Sequence, residues 1–206
     1  MSIQTGPILV VEDIAAVREL IQVQLTVRGY QVLTARDGQD ALAMVAASKP
    51  SVVITDILMP QVDGFALAHR LRTNPLTTHI PIIFLSATYV SAEDERFALN
   101  LGALRFLPKP IDADELFIAV ADALTGQVIS PSAPLSEREF YTGYRQRLEN
   151  KLRQKSGQLS RNRQLGYGLA SDQRETYNHL MAESQEQYDE LQRELAVLNQ
   201  VLQELG

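Results

Sequence analysis

Cysteine is absent from this chain of 206 residues, which removes disulfides, thiolate catalysis and cysteine-ligated metals from consideration. No apolar run approaches the roughly 18 residues of a membrane span, and the N-terminus lacks the basic-then-apolar pattern of a secretion signal. Both absences point to a soluble, cytoplasmic protein without membrane insertion. Positive charge is in deficit: 19 Lys and Arg against 25 Asp and Glu leave a net charge of −6. That balance disfavours unspecific nucleic-acid binding, although a local basic patch remains possible. The length suits one generous domain, or one domain and an appendage.

What is present changes its pattern near residue 126. Before that point, short apolar runs alternate with longer amphipathic segments. The runs are Ile8-Leu9-Val10-Val11, Val32-Leu33-Thr34, Val52-Val53-Ile54-Thr55, Ile82-Ile83-Phe84-Leu85 and Phe106-Leu107. Helical patterns lie between and after them at about 14–28, 38–47, 64–73, 91–100 and 112–125. Five strands alternating with five helices imply a parallel sheet covered on both faces. The first, third and fourth runs are continuously apolar, as strands buried on both faces must be.

Chemistry gathers at the ends of these strands. Glu12 and Asp13 follow the first, Asp56 ends the third, Ser86 ends the fourth and Lys109 follows the fifth. Singly, each has a bland reading: an acidic pair after a strand is usually a helix cap, and a lysine before proline is usually surface. Jointly they form one set, because strand ends of a parallel sheet converge on one edge, where open α/β folds bind ligands. Clustered carboxylates raise one another's pKa. A hard divalent cation such as Mg²⁺ relieves that repulsion. It also screens an incoming phosphoryl group and leaves one carboxylate free as nucleophile. A lysine and a hydroxyl then suit the phosphoryl oxygens.

At these residues the chain resembles a response-regulator receiver (CheY-like) domain, over roughly residues 5 to 125. The match consists of "LVVED" with Glu12-Asp13, "TDILMPQVDG" with Asp56, Pro60 and Gly64, "FLSA" with Ser86, and "FLPKP" with Lys109-Pro110. The resemblance implies a doubly wound, five-stranded parallel α/β sheet of the flavodoxin-like kind. It implies that Asp56 accepts a phosphoryl group from a phosphohistidine on a sensor histidine kinase or phosphotransfer protein. Glu12, Asp13, Asp56 and the main-chain carbonyl of Leu58 are implied to bind Mg²⁺, with Ser86 and Lys109 reading the phosphoryl group and a cis Lys109-Pro110 bond. In the family the strand-four hydroxyl and the strand-five aromatic move together on phosphorylation. Ser86 and Phe106 hold those positions here, and Phe106 lacks the hydroxyl of the commoner tyrosine. Leu58 and Thr88 occupy the positions that tune water access to the acylphosphate; an apolar Leu58 offers an attacking water no hydrogen bond. A phosphorylated aspartate carries about −1.5 to −2 charges at a site built to receive them.

From residue 126 the chain reads as a linker to 135, with Gly126, Pro131 and Pro134, then as two proline-free helices at about 136–165 and 172–205. Ser136 with Glu139, and Asp172 with Glu175, are capping-box signatures. The expected organisation is a receiver over 1–125, a linker over 126–135 and a helical hairpin or coiled coil over 136–206. Heptad a positions fall on Met181, Tyr188, Leu195 and Leu202, and d positions on Tyr177, Ser184, Leu191, Leu198 and Leu205, a seam for helix packing. The first helix is rougher. Tyr141, Leu148, Leu152 and Leu159 lie near one stripe that Arg145, Lys155 and Asn162 interrupt. Residues 136–165 hold eight basic and three acidic groups (8 − 3 = +5), and 171–206 hold two basic and eight acidic (2 − 8 = −6). Opposite fields across a glycine turn favour an antiparallel hairpin, and its small core favours dimerisation into a four-helix bundle.

The reading is therefore a phosphorylation-controlled switch, not an enzyme, whose output to a downstream protein passes through a dimerising helical tail. Two alternatives stand beside it. One is the regulatory front of a larger enzyme, such as a diguanylate cyclase, phosphatase or kinase. The other is nucleic-acid binding through Arg145, Arg147, Lys151, Arg153 and Lys155. No helix-turn-helix or winged pattern supports the second, and the acidic helix competes for its charge. His179 falls on the exposed f position of the heptad, but "NHLMAES" does not resemble the surroundings of known phosphoacceptor histidines.

Overall fold

The computed structural model of the chain describes residues 6–86, 92–125, 135–166 and 171–205. Thr88, the linker up to Pro134 and most of the "GYGLAS" break lie outside them, as do the side chains of Asp172 and Glu175. The chain divides between Leu135 and Ser136 into two compact units.

The first unit runs β1 (Ile8–Val11), α1 (Ala15–Val27), β2 (Val32–Ala35), α2 (Gly38–Ser48), β3 (Val52–Asp56), α3 (Gly64–Thr73), β4 (Ile82–Ser86), α4 (Ala92–Asn100), β5 (Arg105–Pro108) and α5 (Ala113–Leu124). All strand pairs are parallel, in the order β2-β1-β3-β4-β5. This is the parallel sheet that the alternating pattern predicts, in the doubly wound form that the family resemblance implies. Every residue of β1, β3 and β4 is buried, whereas the edge strands β2 and β5 are only partly so. One face of the sheet packs Ile8, Val10, Ile54, Ile83 and Leu85 against Ile21 and Leu25 of α1 and Leu116 and Val120 of α5. Because β1 lies between β2 and β3, the connections leave it in opposite directions, and a crevice opens at the carboxyl ends of β1 and β3.

Side-chain caps start most of these helices. Asp37 accepts from the Asp40 N–H at 2.8 Å, Asp63 from Ala66 at 2.8 Å, and Asp112 from Asp114 and Glu115 at 2.9 and 3.0 Å. Among the described N-caps of this unit the exception is that of α1, Ile14, which has no side-chain cap. On α3, Arg72 is buried and donates to the carbonyls of Thr78, Ile80 and Gly102 at 3.2, 2.8 and 2.8 Å. It thereby ties the end of α3 to the loop before β4 and the turn before β5. Burial pushes its guanidinium down to about 10.

The second unit is α6 (Glu137–Leu165) and α7 (Ser171–Glu204), packed antiparallel. Ser136 and Glu139 form the capping box that opens α6. The antiparallel register is visible in its cross-helix bonds. Tyr144 donates to Glu194, Lys155 to Gln187 at 2.6 Å, Arg163 to Gln185 at 3.0 Å, and the Tyr177 hydroxyl to the Asn162 carbonyl at 2.9 Å. Along α7, Tyr177, Met181, Ser184, Tyr188, Leu191, Leu195 and Leu202 are half-buried, Leu198 is buried and Leu205 is exposed. The stripe on α6 differs from the expected one at its start. Phe140 and Tyr144 are buried with Leu148 and Leu159, while Tyr141 and Leu152 are half-buried. Phe140 stacks on Tyr144 with ring centroids 5.7 Å apart. Of the two adjacent aromatics, the one four residues before Tyr144 lies on its face of the helix.

Candidate functional site

The crevice at the carboxyl edge collects the polar residues that end the strands. β1 runs straight into Glu12, which is fully buried, and the Glu12 N–H donates to Ala35 at the end of β2 at 3.1 Å. Asp56 is the last residue of β3 and Ser86 the last of β4; both are buried. Ser86 pairs in register with Pro108, and the Lys109 N–H donates to the Ser86 carbonyl at 2.6 Å, so β5 delivers Lys109 beside β4. The Lys109-Pro110 peptide is cis.

Lys109 joins the carboxylates. Its ammonium lies 2.7 Å from Glu12 Oε2 and 3.0 Å from Asp56 Oδ1. Glu12 Oε1 accepts from the Ile14 N–H at 3.3 Å, so both oxygens of Glu12 have protein partners. Asp13 is exposed at the mouth of the crevice. One carboxylate oxygen each from Glu12, Asp13 and Asp56 falls within 4.8 Å of the others. Three convergent acidic oxygens with a single ammonium among them fit a small, hard divalent cation.

Burial raises the Glu12 carboxyl above the ordinary range; the Lys109 hydrogen bond opposes this and the Asp56 charge adds to it. Asp56 is raised for the same first reason, against the charge and hydrogen bond of Lys109. Burial alone lowers Lys109, but its hydrogen bond to Glu12 and the charge of Asp56 outweigh that and leave it raised. Desolvation thus loads the site, and the ammonium offsets part of the load.

The backbone around Asp56 is held closely. The Thr55 hydroxyl donates to the Asp56 carbonyl at 2.9 Å, and the Gly64 N–H donates to the Ile57 carbonyl at 2.9 Å. Gly64 packs so closely that a β-carbon there would overlap the Asp56 carbonyl oxygen. Gln61, in the loop between, has φ +64°, in the left-handed region. The Leu58 side chain is 51% exposed. Phe106 is half-buried on β5, in register with Phe84, whose ring meets Phe65 at 5.1 Å. The structure thus gathers Glu12, Asp13, Asp56 and Lys109 directly, and sets Ser86 at the neighbouring strand end. Sequence reasoning missed Arg18. Its guanidinium donates to the carbonyls of Glu12 and Asp13 at 2.6 and 3.2 Å. A cation one helical turn behind an acidic pair, at the start of an amphipathic helix, was the available signal.

Comparison with known proteins agrees with this geometry. The family model of the response regulator receiver domain matches residues 8–121, and the chain belongs to that family. The response regulator PleD of Caulobacter vibrioides is 42% identical over 114 residues, covering 55% of this chain and 25% of PleD. A probable transcriptional regulator, ycf27, of Porphyra purpurea is 35% identical over 124 residues, covering 60% of this chain and 49% of that protein. Among solved structures, the chemotaxis protein CheY4 of Vibrio cholerae superposes with a TM-score of 0.55 at 30% identity, over 58% of this chain and 99% of that one. The chain spans a quarter to a half of the length of these curated relatives. Among the described residues, no helix is long and apolar enough to cross a membrane.

Proposed function

We propose that Asp56 is the phosphoacceptor of a two-component switch in the cytoplasm, and that the α6–α7 hairpin carries its output to a downstream protein. The observation behind this is the Lys109 ammonium held between buried Glu12 and Asp56, with Asp13 open to solvent beside them. In the proposed transfer, an Asp56 carboxylate oxygen attacks phosphorus. The bond from phosphorus to the kinase histidine nitrogen breaks, its electron pair stays on that nitrogen, and a P–O bond forms on Asp56. Lys109 and Ser86 take the phosphoryl oxygens, and Ser86 and Phe106 report the new charge. Glu12, Asp13, Asp56 and the Leu58 carbonyl would hold Mg²⁺, with Glu12 also engaged by Lys109 and Ile14. Bound there, the ion would neutralise charge between carboxylate and phosphoryl oxygens. The protein acts as a phosphoryl acceptor and switch rather than as an enzyme turning over a separate substrate.

The half-buried seam of Tyr177, Met181, Tyr188, Leu191, Leu195 and Leu202 supports a homodimer, because two helices alone leave that stripe incompletely covered. Intact-mass measurement after incubation with acetyl phosphate and Mg²⁺ tests the acceptor: one phosphoryl group on the wild type and none on Asp56→Asn is expected. A wild type that takes up none overturns the assignment. Sedimentation with and without beryllofluoride tests the dimer, and a monomer under every condition removes it.

Leu58 gives a kinetic prediction. Its exposed apolar side chain offers no hydrogen bond to water attacking the acylphosphate. Leu58→Asn should shorten the phosphorylated lifetime several-fold, the kinetic equivalent of one hydrogen bond worth ~1 kcal/mol. An unchanged or longer lifetime in the decay of the phosphorylated mass contradicts it.

A further inference from the structure

We propose that Arg18 is a positioning residue for the acidic site: it clamps Glu12 and Asp13, the first two of the three residues between β1 and α1, and so sets where Asp13 stands. This rests on the proposed reading of Asp13 and Asp56 as cation ligands.

Three observations carry it. First, α1 lacks the side-chain cap found on α2, α3 and α5; its N-cap is Ile14, and no acidic residue lies in its first turn. Second, the Arg18 guanidinium supplies the missing tie from the opposite direction. One nitrogen, Nη1, donates to the carbonyls of both Glu12 and Asp13, at 2.6 and 3.2 Å. The Arg18 backbone N–H is itself fixed to the Ile14 carbonyl at 3.0 Å. Third, the two acidic residues differ in how they are held. Glu12 is fully buried and bonded through both carboxylate oxygens. Asp13 is exposed, and the Arg18 bond fixes its peptide. A long side chain near the start of a helix leans back over the preceding turn, which is how Arg18 reaches carbonyls five and six residues earlier.

Two effects of Arg18 oppose each other. Its positive charge repels a cation, whereas its hydrogen bonds preorganise a ligand. Asp13 is exposed, and the high dielectric of the water beside it weakens that repulsion. Loss of an outer residue that orients a metal ligand typically weakens affinity by about 10- to 100-fold. Positioning therefore wins, and the sign of the change identifies the role.

The test is Mn²⁺ titration of the full chain at near-physiological salt, following free Mn²⁺ by electron paramagnetic resonance. Wild type, Arg18→Met and Arg18→Lys are compared, with thermal unfolding alongside. Arg18→Met keeps the aliphatic stem and removes the donors; it should bind about tenfold more weakly while its melting temperature stays close to that of the wild type. Arg18→Lys should recover part of the affinity. In an Asp13→Asn background, Arg18→Met should have no further effect, because Arg18 acts through Asp13. Equal or tighter binding by Arg18→Met, or an undiminished effect without Asp13, overturns the proposal and leaves the cation reading standing. A wild type that binds no Mn²⁺ overturns both.

Discussion

Replacing Lys109 with methionine should make the stability of the protein steeply dependent on pH. Glu12 and Asp56 are buried, and Lys109 lies 2.7 and 3.0 Å from them. Removing one partner from a buried ionic cluster typically costs about 3–5 kcal/mol, because the remaining charges lose their compensation. The direction with pH follows from the raised carboxyls. Burial holds Glu12 and Asp56 above their ordinary values of 4.5 and 3.8, so the folded state keeps its protons after the unfolded chain has lost them. Stability therefore falls as pH rises from the unfolded values through the folded ones. In the wild type, Lys109 limits that loss. Its own raised pKa contributes stability that is complete below its ordinary 10.5 and is lost as pH rises through the folded value. In Lys109→Met the opposing charge and hydrogen bonds are gone, both carboxyls rise further, and the window of falling stability extends toward neutrality. Urea unfolding in metal-free buffer should show a difference of about 3–5 kcal/mol between wild type and mutant at pH 8, narrowing as pH is lowered toward 5. A difference that does not change with pH contradicts this account.

The strands and the candidate site were legible for one reason: a parallel sheet buries its central strands on both faces. β1, β3 and β4 show that burial as unbroken apolar runs, so the polar residue ending each run stood out. Asp56 and Ser86 were conspicuous because the pattern breaks at them, and the family motifs supplied their order and spacing. The contribution of Arg18 was only faintly legible: its place just behind the acidic pair is a weak signal, and its acceptors are main-chain carbonyls that any sequence offers. Arg72 escaped notice for the same reason, with three carbonyl acceptors. The start of α6 was misread because Phe140 and Tyr141 are adjacent and equally apolar. Phe140 lies four residues before buried Tyr144 and shares its face, so the buried stripe runs through Phe140, Tyr144 and Leu148.

Gly64 shows how closely the frame around Asp56 is fitted, and Gly64→Ala should be among the most damaging single-methyl changes in the chain. The restriction is steric rather than conformational, since Gly64 is not among the glycines with positive φ. α3 begins against the end of β3: an added β-carbon would overlap the Asp56 carbonyl oxygen and lie 3.1 Å from the Ile57 Cα. Both neighbours are backbone, and the Asp56 carbonyl is further held by the Thr55 hydroxyl. Relief therefore requires α3 to lift from the sheet or the end of β3 to shift, and overpacking of this kind costs about 1–3 kcal/mol or more. Displacing Asp56 by about 1 Å would also take the proposed phosphoacceptor out of line, at a cost on the order of 100-fold in rate. Gly157→Ala provides the control. That glycine lies inside α6, where the nearest atom to an added β-carbon is Arg161 Nη1 at 3.6 Å. There alanine should stabilise by roughly 0.5–1 kcal/mol through helix propensity. Unfolding curves and acetyl phosphate uptake measured on both variants should move in opposite directions for stability, with slowed phosphorylation confined to Gly64→Ala. Normal uptake in a stably folded Gly64→Ala would show that the contact with the Asp56 carbonyl does not govern the position of the acceptor.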